Sequence, residues 1–326
     1  MTAKILDGES LATKIREEVA NEAAKLRARG IIPGLGTILV GDDPPSARYV
    51  AMKHADCAEV GIESIHEHLP ADITQDDLMS AVERFNSDTR VHAYLVQLPL
   101  PAGLDEEEVL LSVDPSKDVD GLHPVNLGLL VMGHPRVLPC TPAGILELLS
   151  ANGIDLAGRH VVVVGRGLTI GRPLALLAAL KRPGCNAAVT VVHTGVPDMA
   201  EHVRRADIVI AAAGHAGLVT RDMIKPGAVV VGAGTSWEGR KLLSDVDDAV
   251  SEVAGWITPR IGGVGPMTRA MLLRNAISAA MHSAAVHSAA VHPAAVHSAA
   301  MHPGATNPDT IQSDATQSLI AEPKAT

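Results

Sequence analysis

His160-Val-Val-Val-Val-Gly165-Arg-Gly-Leu-Thr-Ile-Gly-Arg-Pro173 is the stretch on which the fold turns. Four consecutive valines suit a strand covered on both faces. Gly165, Gly167 and Gly171 remove side chains that would hold a pyrophosphate away from backbone N–H groups. Pro173 suits the first turn of a helix whose N-terminus attracts anions. The glycine spacing is one residue longer than the usual dinucleotide fingerprint, so on this stretch alone a purely structural turn stays open as the alternative.

The residues that follow repeat the strand-helix alternation: strands over 188–193, 207–213 and 228–231, and a helix from Asp198. Successive units of this kind after a glycine turn are the doubly wound pattern. An NAD site wants an acidic residue at the end of the second strand to hold the ribose hydroxyls. Here that strand ends His193-Thr194, and Arg166 sits inside the glycine turn. A cation without the acid suits a ribose phosphate, which favours NADP.

Upstream, Leu11, Ile15, Val19 and Leu26 recur at helical spacing, predicting a helix over 10–29. A buried strand is expected over 36–41, then a turn ending in Ser46 as N-cap and a helix to about Glu59. Thr74 and Asp77 form a capping-box pattern, and 91–98 reads as an apolar strand closed by Pro99. Tyr49 and Lys53 share a helix face, and Gln97 interrupts an apolar strand near its C-terminal end, where α/β folds place ligands. Asp118 and Asp120 serve equally well to cap a turn. Residues 102–139 show few regular signals, Thr141-Pro142 reads as a helix N-cap and N1, and 258–266 is too rich in glycine and proline for regular structure. A last helix is expected over 268–281.

The 326 residues suffice for two cores. A net charge of −10 and the scarcity of aromatic residues argue against a nucleic-acid binder. Cys57, Cys140 and Cys185 are widely spaced, which fits small core residues in a reducing compartment and offers no metal site. Asp7 and Glu9 interrupt any signal peptide, and no apolar run is long enough to span a bilayer; a cytoplasmic protein is expected. From His282 to His302 histidines recur every five residues, leaving successive imidazoles about 140° apart on a helix, so they share no face. This low-complexity tail is expected to be disordered or loosely helical.

Five motifs, Tyr49-Val-Ala-Met-Lys53, Leu95-Val-Gln-Leu-Pro-Leu-Pro101, Lys117-Asp-Val-Asp-Gly121, Pro139-Cys-Thr-Pro142 and Gly262-Gly-Val-Gly-Pro-Met-Thr268, occur in this order with the glycine turn between the last two. Together they closely resemble the bifunctional methylenetetrahydrofolate dehydrogenase/methenyltetrahydrofolate cyclohydrolase family over residues 4–281. The resemblance implies two α/β domains with a cleft between them. Residues 1–140, with a returning helix 268–281, would form the catalytic folate-binding domain, and 141–267 a Rossmann-like NAD(P)-binding domain, leaving 282–326 as the tail. It implies oxidation of methylenetetrahydrofolate with NADP, then hydrolysis to formyltetrahydrofolate, in one-carbon metabolism, by a homodimer joined through its nucleotide domains.

By the same resemblance Lys53 is the central catalytic residue, with Tyr49, Gln97 and Asp120. Leu98, Pro99, Gly262, Gly263, Val264 and Pro266 join Tyr49, Gln97 and Asp120 around the folate. Gly165, Arg166, Gly167, Ile170, Gly171, His193, Thr194 and Thr235 would hold NADP. A lysine is a poor base near neutrality unless burial depresses its pKa. Three positions depart from the family pattern: Gly167 stands for a serine, Ile261 for a proline and Gly232 for an aspartate. All lie in or beside the cofactor half. A paralogue with one activity or NAD dependence, or a non-catalytic folate- or nucleotide-binding protein, are the alternatives.

Overall fold

A computed structural model describes residues 2–239 and 241–291, and the fold below is that of the unit ending at Ala284. The chain begins with β1 (Lys4–Ile5), α1 (Gly8–Ala28), β2 (Gly34–Val40), α2 (Pro44–Val60), β3 (Glu63–Leu69), α3 (Gln75–Ser87) and β4 (Ala93–Val96). Strands β3-β2-β4 form a parallel sheet. The valine run becomes β5 (His160–Val164), with Val161 to Val164 fully buried. It is followed by α7 (Gly171–Ala179), after α4 (Glu106–Ser112), α5 (Pro124–Val131) and α6 (Cys140–Ala151). Next come β6 (Ala188–Val192), α8 (Met199–Arg204), β7 (Ile208–Ala211), β8 (Val229–Gly232), β9 (Thr235–Glu238), β10 (Lys241–Ser244), β11 (Trp256–Ile257) and α9 (Val264–Val291).

The second sheet has the order β1-β11-β8-β7-β5-β6, parallel throughout. The chain leaves β5 for β6 on one side and returns to β7 on the other, so β5 is the switch point at which a doubly wound sheet binds ligands. Both halves are thus α/β, as the alternation in the sequence predicts. β1 leaves the N-terminal half and pairs with β11, so residues 1–140 contribute a strand to the other sheet. α6 and α9 share one apolar core with α1, β5 and β7.

Several local expectations need correction. Thr141 does not cap α6; Pro139 holds the N-cap position, and the Thr141 hydroxyl meets that of Thr268 at 2.9 Å. Asp43, not Ser46, caps α2, its carboxylate accepting from Ser46 N at 3.0 Å. α9 starts at Val264, so Val264 and Pro266 lie in a helical first turn, where proline leaves no intrahelical acceptor unpaired. Residues 102–139 hold two short helices, α4 and α5. The expectation for the tail falls mostly on residues 292–326, outside the described residues.

Candidate active site

Two prolines start α2 and Gly61, at φ 76°, ends it. Lys53 is carried on its middle, and its Nζ donates to Gln97 Oε1 at 3.1 Å. Gln97 directly follows β4, its backbone N–H donating to Ile38 O at 2.8 Å. The Gln97 amide in turn donates to Leu98 O at 2.7 Å, which turns Oε1 toward Lys53. The Leu98–Pro99 peptide is cis. A polar residue at the C-terminal end of an otherwise buried strand therefore holds the lysine at the edge of the sheet.

Burial lowers the pKa of Lys53, an effect that the charge of Asp120 foremost opposes. Burial raises that of Asp120, with Lys53 opposing. The two groups thus meet from opposite sides, each held nearer its neutral form than in water. Cys140, read from the sequence as a core residue, proves to border this pair. Its thiol donates to Val119 O at 3.3 Å, and burial pushes its pKa well up. Asn275 donates to Val119 O at 2.9 Å, to Leu138 O at 3.0 Å and to Cys140 Sγ at 3.4 Å. Cys140 lies in the Pro139-Cys-Thr-Pro142 motif without a role read for it there, and Asn275 carries no pattern in sequence; only the return of α9 brings Asn275 to the segment before Asp120.

Asp118 and Asp120, indistinguishable in sequence, separate here. Asp118 accepts from Gly121 N at 3.0 Å, His123 N at 2.8 Å and Asn126 Nδ2 at 2.9 Å, which makes it the cap of the turn. Asp120 faces Lys53. Tyr49 is 45 % exposed and is not hydrogen-bonded to Lys53, one turn away. The Gly262–Gly263 loop is pinned by Glu9 N donating to Gly262 O at 2.9 Å. A Cβ on Gly8 would fall 1.8 Å from Gly263 O, so the start of α1 and this loop are in direct backbone contact. Val264 is buried in the core, whereas Pro99 and Gly265 are exposed.

The glycine turn after β5 divides in the same way. Gly165 has φ 121°, and a Cβ there would lie 2.1 Å from Ala212 O; on Gly171 it would lie 2.4 Å from Gly165 O. These two glycines are required by the turn. Gly167 faces open space. Arg166 is exposed, and its carbonyl accepts from Arg172 Nε at 2.9 Å. His193 accepts from Gly195 N at 3.1 Å; Thr194, just past the end of β6, and Thr235, which begins β9, are both exposed. Sequence reading missed Asp245. This buried carboxylate accepts from Ala213 N at 2.6 Å and Gly214 N at 2.9 Å, fixing the loop after β7. The bare backbone, the cation and the missing acid suit a phosphorylated dinucleotide.

Gly232 is also accounted for. A Cβ there would stand 2.9 Å from the Ser244 hydroxyl, and its N–H donates to Thr258 Oγ1 at 2.8 Å, so glycine matches the side chains around it. Ile261 is 79 % exposed and makes no demand on the core.

Residues 6–120 match the family model for the tetrahydrofolate dehydrogenase/cyclohydrolase catalytic domain, and residues 139–284 that for its NAD(P)-binding domain. The chain is 58 % identical over 280 residues to the bifunctional protein FolD of Syntrophotalea carbinolica, covering 86 % of this chain and 97 % of that one. Among solved structures, the bifunctional FolD of Campylobacter jejuni superposes with TM-score 0.83 at 42 % identity, covering 86 % and 99 % of the two chains. The Trypanosoma brucei enzyme, complexed with NADP cofactor and inhibitor, gives TM-score 0.82 at 39 % identity, with 87 % and 99 % covered. A lysine and glutamine at one sheet edge, a glycine turn at the other, and matches spanning both halves place this chain in the tetrahydrofolate dehydrogenase/cyclohydrolase family.

Proposed function

We propose that this chain is a bifunctional enzyme that oxidises methylenetetrahydrofolate with NADP and hydrolyses the methenyl product to formyltetrahydrofolate. The observation that carries the reading is the Lys53–Gln97 hydrogen bond at the end of β4, beside half-buried Asp120. NADP, when bound, would supply the acceptor for the hydride leaving the methylene carbon. The chain's contribution to that step is alignment, which alone lowers barriers substantially. Gly165, Arg166, Gly167, Ile170, Gly171, His193, Thr194 and Thr235 would hold the dinucleotide. Tyr49, Gln97, Leu98, Pro99, Asp120 and the 262–266 segment would hold the folate.

Hydrolysis needs protons moved as well. Water adds to the methenyl carbon and loses a proton; the carbon–nitrogen bond then breaks, its electron pair goes to the released ring nitrogen, which takes up a proton, and the new hydroxyl gives up its own to become the formyl C=O, so that one proton is released overall. Lys53, with its pKa lowered by burial, can take the first proton and hold it at Nζ. Gln97 keeps the ammonium or amine oriented, and Asp120 stabilises the charged form.

The division of labour follows residues 1–140 and the returning helix for folate chemistry, and 141–267 for the nucleotide. A homodimer through the nucleotide halves belongs to the same reading. Among the described residues the β9–β10 ribbon pairs only with itself, and Trp237 on it is 51 % exposed. A lone two-stranded ribbon is marginal in water, so a partner surface would stabilise it. A cytoplasmic setting fits three buried, unbridged thiols, and no described helix is long and apolar enough to cross a membrane.

The test is direct. Purified protein is mixed with methylenetetrahydrofolate and NADP or NAD, and methenyl formation and decay are followed. Formation with NADP followed by decay is expected. Folate binding without methenyl formation from either nucleotide would overturn the reading.

A further inference from the structure

A cavity of about 510 Å³ lies away from Lys53, within the ~300–1,000 Å³ range of small-molecule sites. Its position follows from topology. Ala93 in its wall begins β4, whereas Gln97 follows the other end of that strand. The segment 182–185 in its wall precedes β6, whereas the glycine turn follows the C-terminal end of β5. Both sheets being parallel, the cavity borders the edges opposite to those that carry the folate and nucleotide sites. Its floor is made by α6 and α9, which supply Leu146 and Met271, with Leu177 of α7 completing an apolar wall.

The charge in the cavity is unbalanced. Arg136, Arg182, Arg274 and His282 line it, against Asp118 and Glu147. Asp118 spends both oxygens on Gly121 N, His123 N and Asn126 Nδ2. Glu147 pairs with Arg274 at 3.4 Å, and Arg274 also reaches Glu18 at 3.1 Å. The ion pairs among the described residues leave Arg136 and Arg182 without a carboxylate. Two uncommitted guanidiniums over an apolar wall match a ligand with a flat apolar body and an anionic group.

The cavity also touches the machinery through one residue. Asn275 lines it and donates to Val119 O and Leu138 O, the groups immediately before Asp120 and before the Pro139-Cys140 start of α6. A ligand that draws Arg274 and Asn275 toward itself therefore acts on the backbone that sets Asp120 opposite Lys53.

We propose that this cavity binds a small organic anion with an apolar ring body, and that its occupation changes turnover through Asn275 without competing with folate or nucleotide. The coupling rests on the enzyme reading above; the binding does not. Anilinonaphthalene sulfonate, a bicyclic ring with one sulfonate, is the probe, titrated by fluorescence into the full chain with saturating NADP and folate. The account expects saturable binding that persists under these conditions. In Arg136→Glu/Arg182→Glu, two exposed changes outside the catalytic and binding machinery, the probe's Kd should rise about tenfold or more. Dehydrogenase turnover of that variant without probe should be unchanged, which also shows that it is folded. In the parent, the probe should alter kcat with KM for both substrates unchanged.

Displacement of the probe by NADP or folate, or equal affinity in the double variant, would overturn the site. Saturation with no change in kcat would overturn the coupling. Loss of all activity in the parent protein before any probe is added would instead be a failure of the enzyme reading, with the fluorescence titration still deciding the site.

Discussion

Asp120 supports the charged form of Lys53, while burial of the lysine opposes it. If Lys53 must be neutral to take a proton, hydrolysis rises with pH through its pKa, and that limb lies below the ordinary lysine range. Removing the attraction in Asp120→Asn lowers the Lys53 pKa further. The rising limb of the cyclohydrolase pH–rate profile is therefore expected to move to lower pH, whatever the change in its maximum; a limb moved upward would contradict the pairing. At Gly167 the side-chain position is open, so Gly167→Ser fits without strain. One hydrogen bond to a charged phosphate, worth about 1.5 kcal/mol, should tighten NADP roughly tenfold with NAD unchanged, as measured by equilibrium binding. Lys53 stands out in sequence only as sharing a helix face with Tyr49 and Gln97 only as a polar break in an apolar strand, their roles coming from the family resemblance; the bond between them crosses 44 positions, and no local pattern encodes it. Asp118 and Asp120 differ only in what surrounds them.

At the scale of elements, the legible parts are those whose stability is local or uniformly apolar. The valine run of β5 could be nothing but a covered strand, and Thr74 with Asp77 forms the capping box its pattern announces. β3 was invisible because Glu63-Ser-Ile-His-Glu-His-Leu69 is an edge strand that is not uniformly buried, its order coming from β2. Thr141 failed as a cap because tertiary packing turns its hydroxyl to Thr268. Asp245 was unremarkable until the loop after β7 was seen to hang on it. Asp245→Ala would leave two backbone N–H groups without their acceptor and should cost about 2 kcal/mol, after relief of the buried charge. Chemical denaturation would show this as a lower midpoint, accompanied by weaker NADP binding. Gly165→Ala, forced against Ala212 O at φ 121°, is expected to damage the nucleotide half more severely, with soluble yield and NADP binding as readouts.

The whole molecule sets two parallel sheets so that the C-terminal end of β4 presents Gln97, the partner of Lys53 on α2, and the C-terminal end of β5 the glycine turn. Alternating strands and helices made that architecture readable. The assignment of β1 to the second sheet was not, since a two-residue strand leaves no periodicity. α9, expected as the returning helix, also supplies Asn275 behind Asp120, an association across more than 130 residues. If the ribbon bearing Trp237 is the dimer contact, Trp237→Lys should shift the sedimentation coefficient from dimer to monomer; an unchanged dimer would place the interface elsewhere.

The central claim is that one lysine serves folate chemistry while the nucleotide half stands apart from it. Lys53→Met keeps the length of the side chain and removes the amine. With the variant's NADP binding confirmed by titration, hydrolysis of methenyltetrahydrofolate should fall to the uncatalysed rate. Near-wild-type hydrolysis in a protein that still binds NADP would contradict the account.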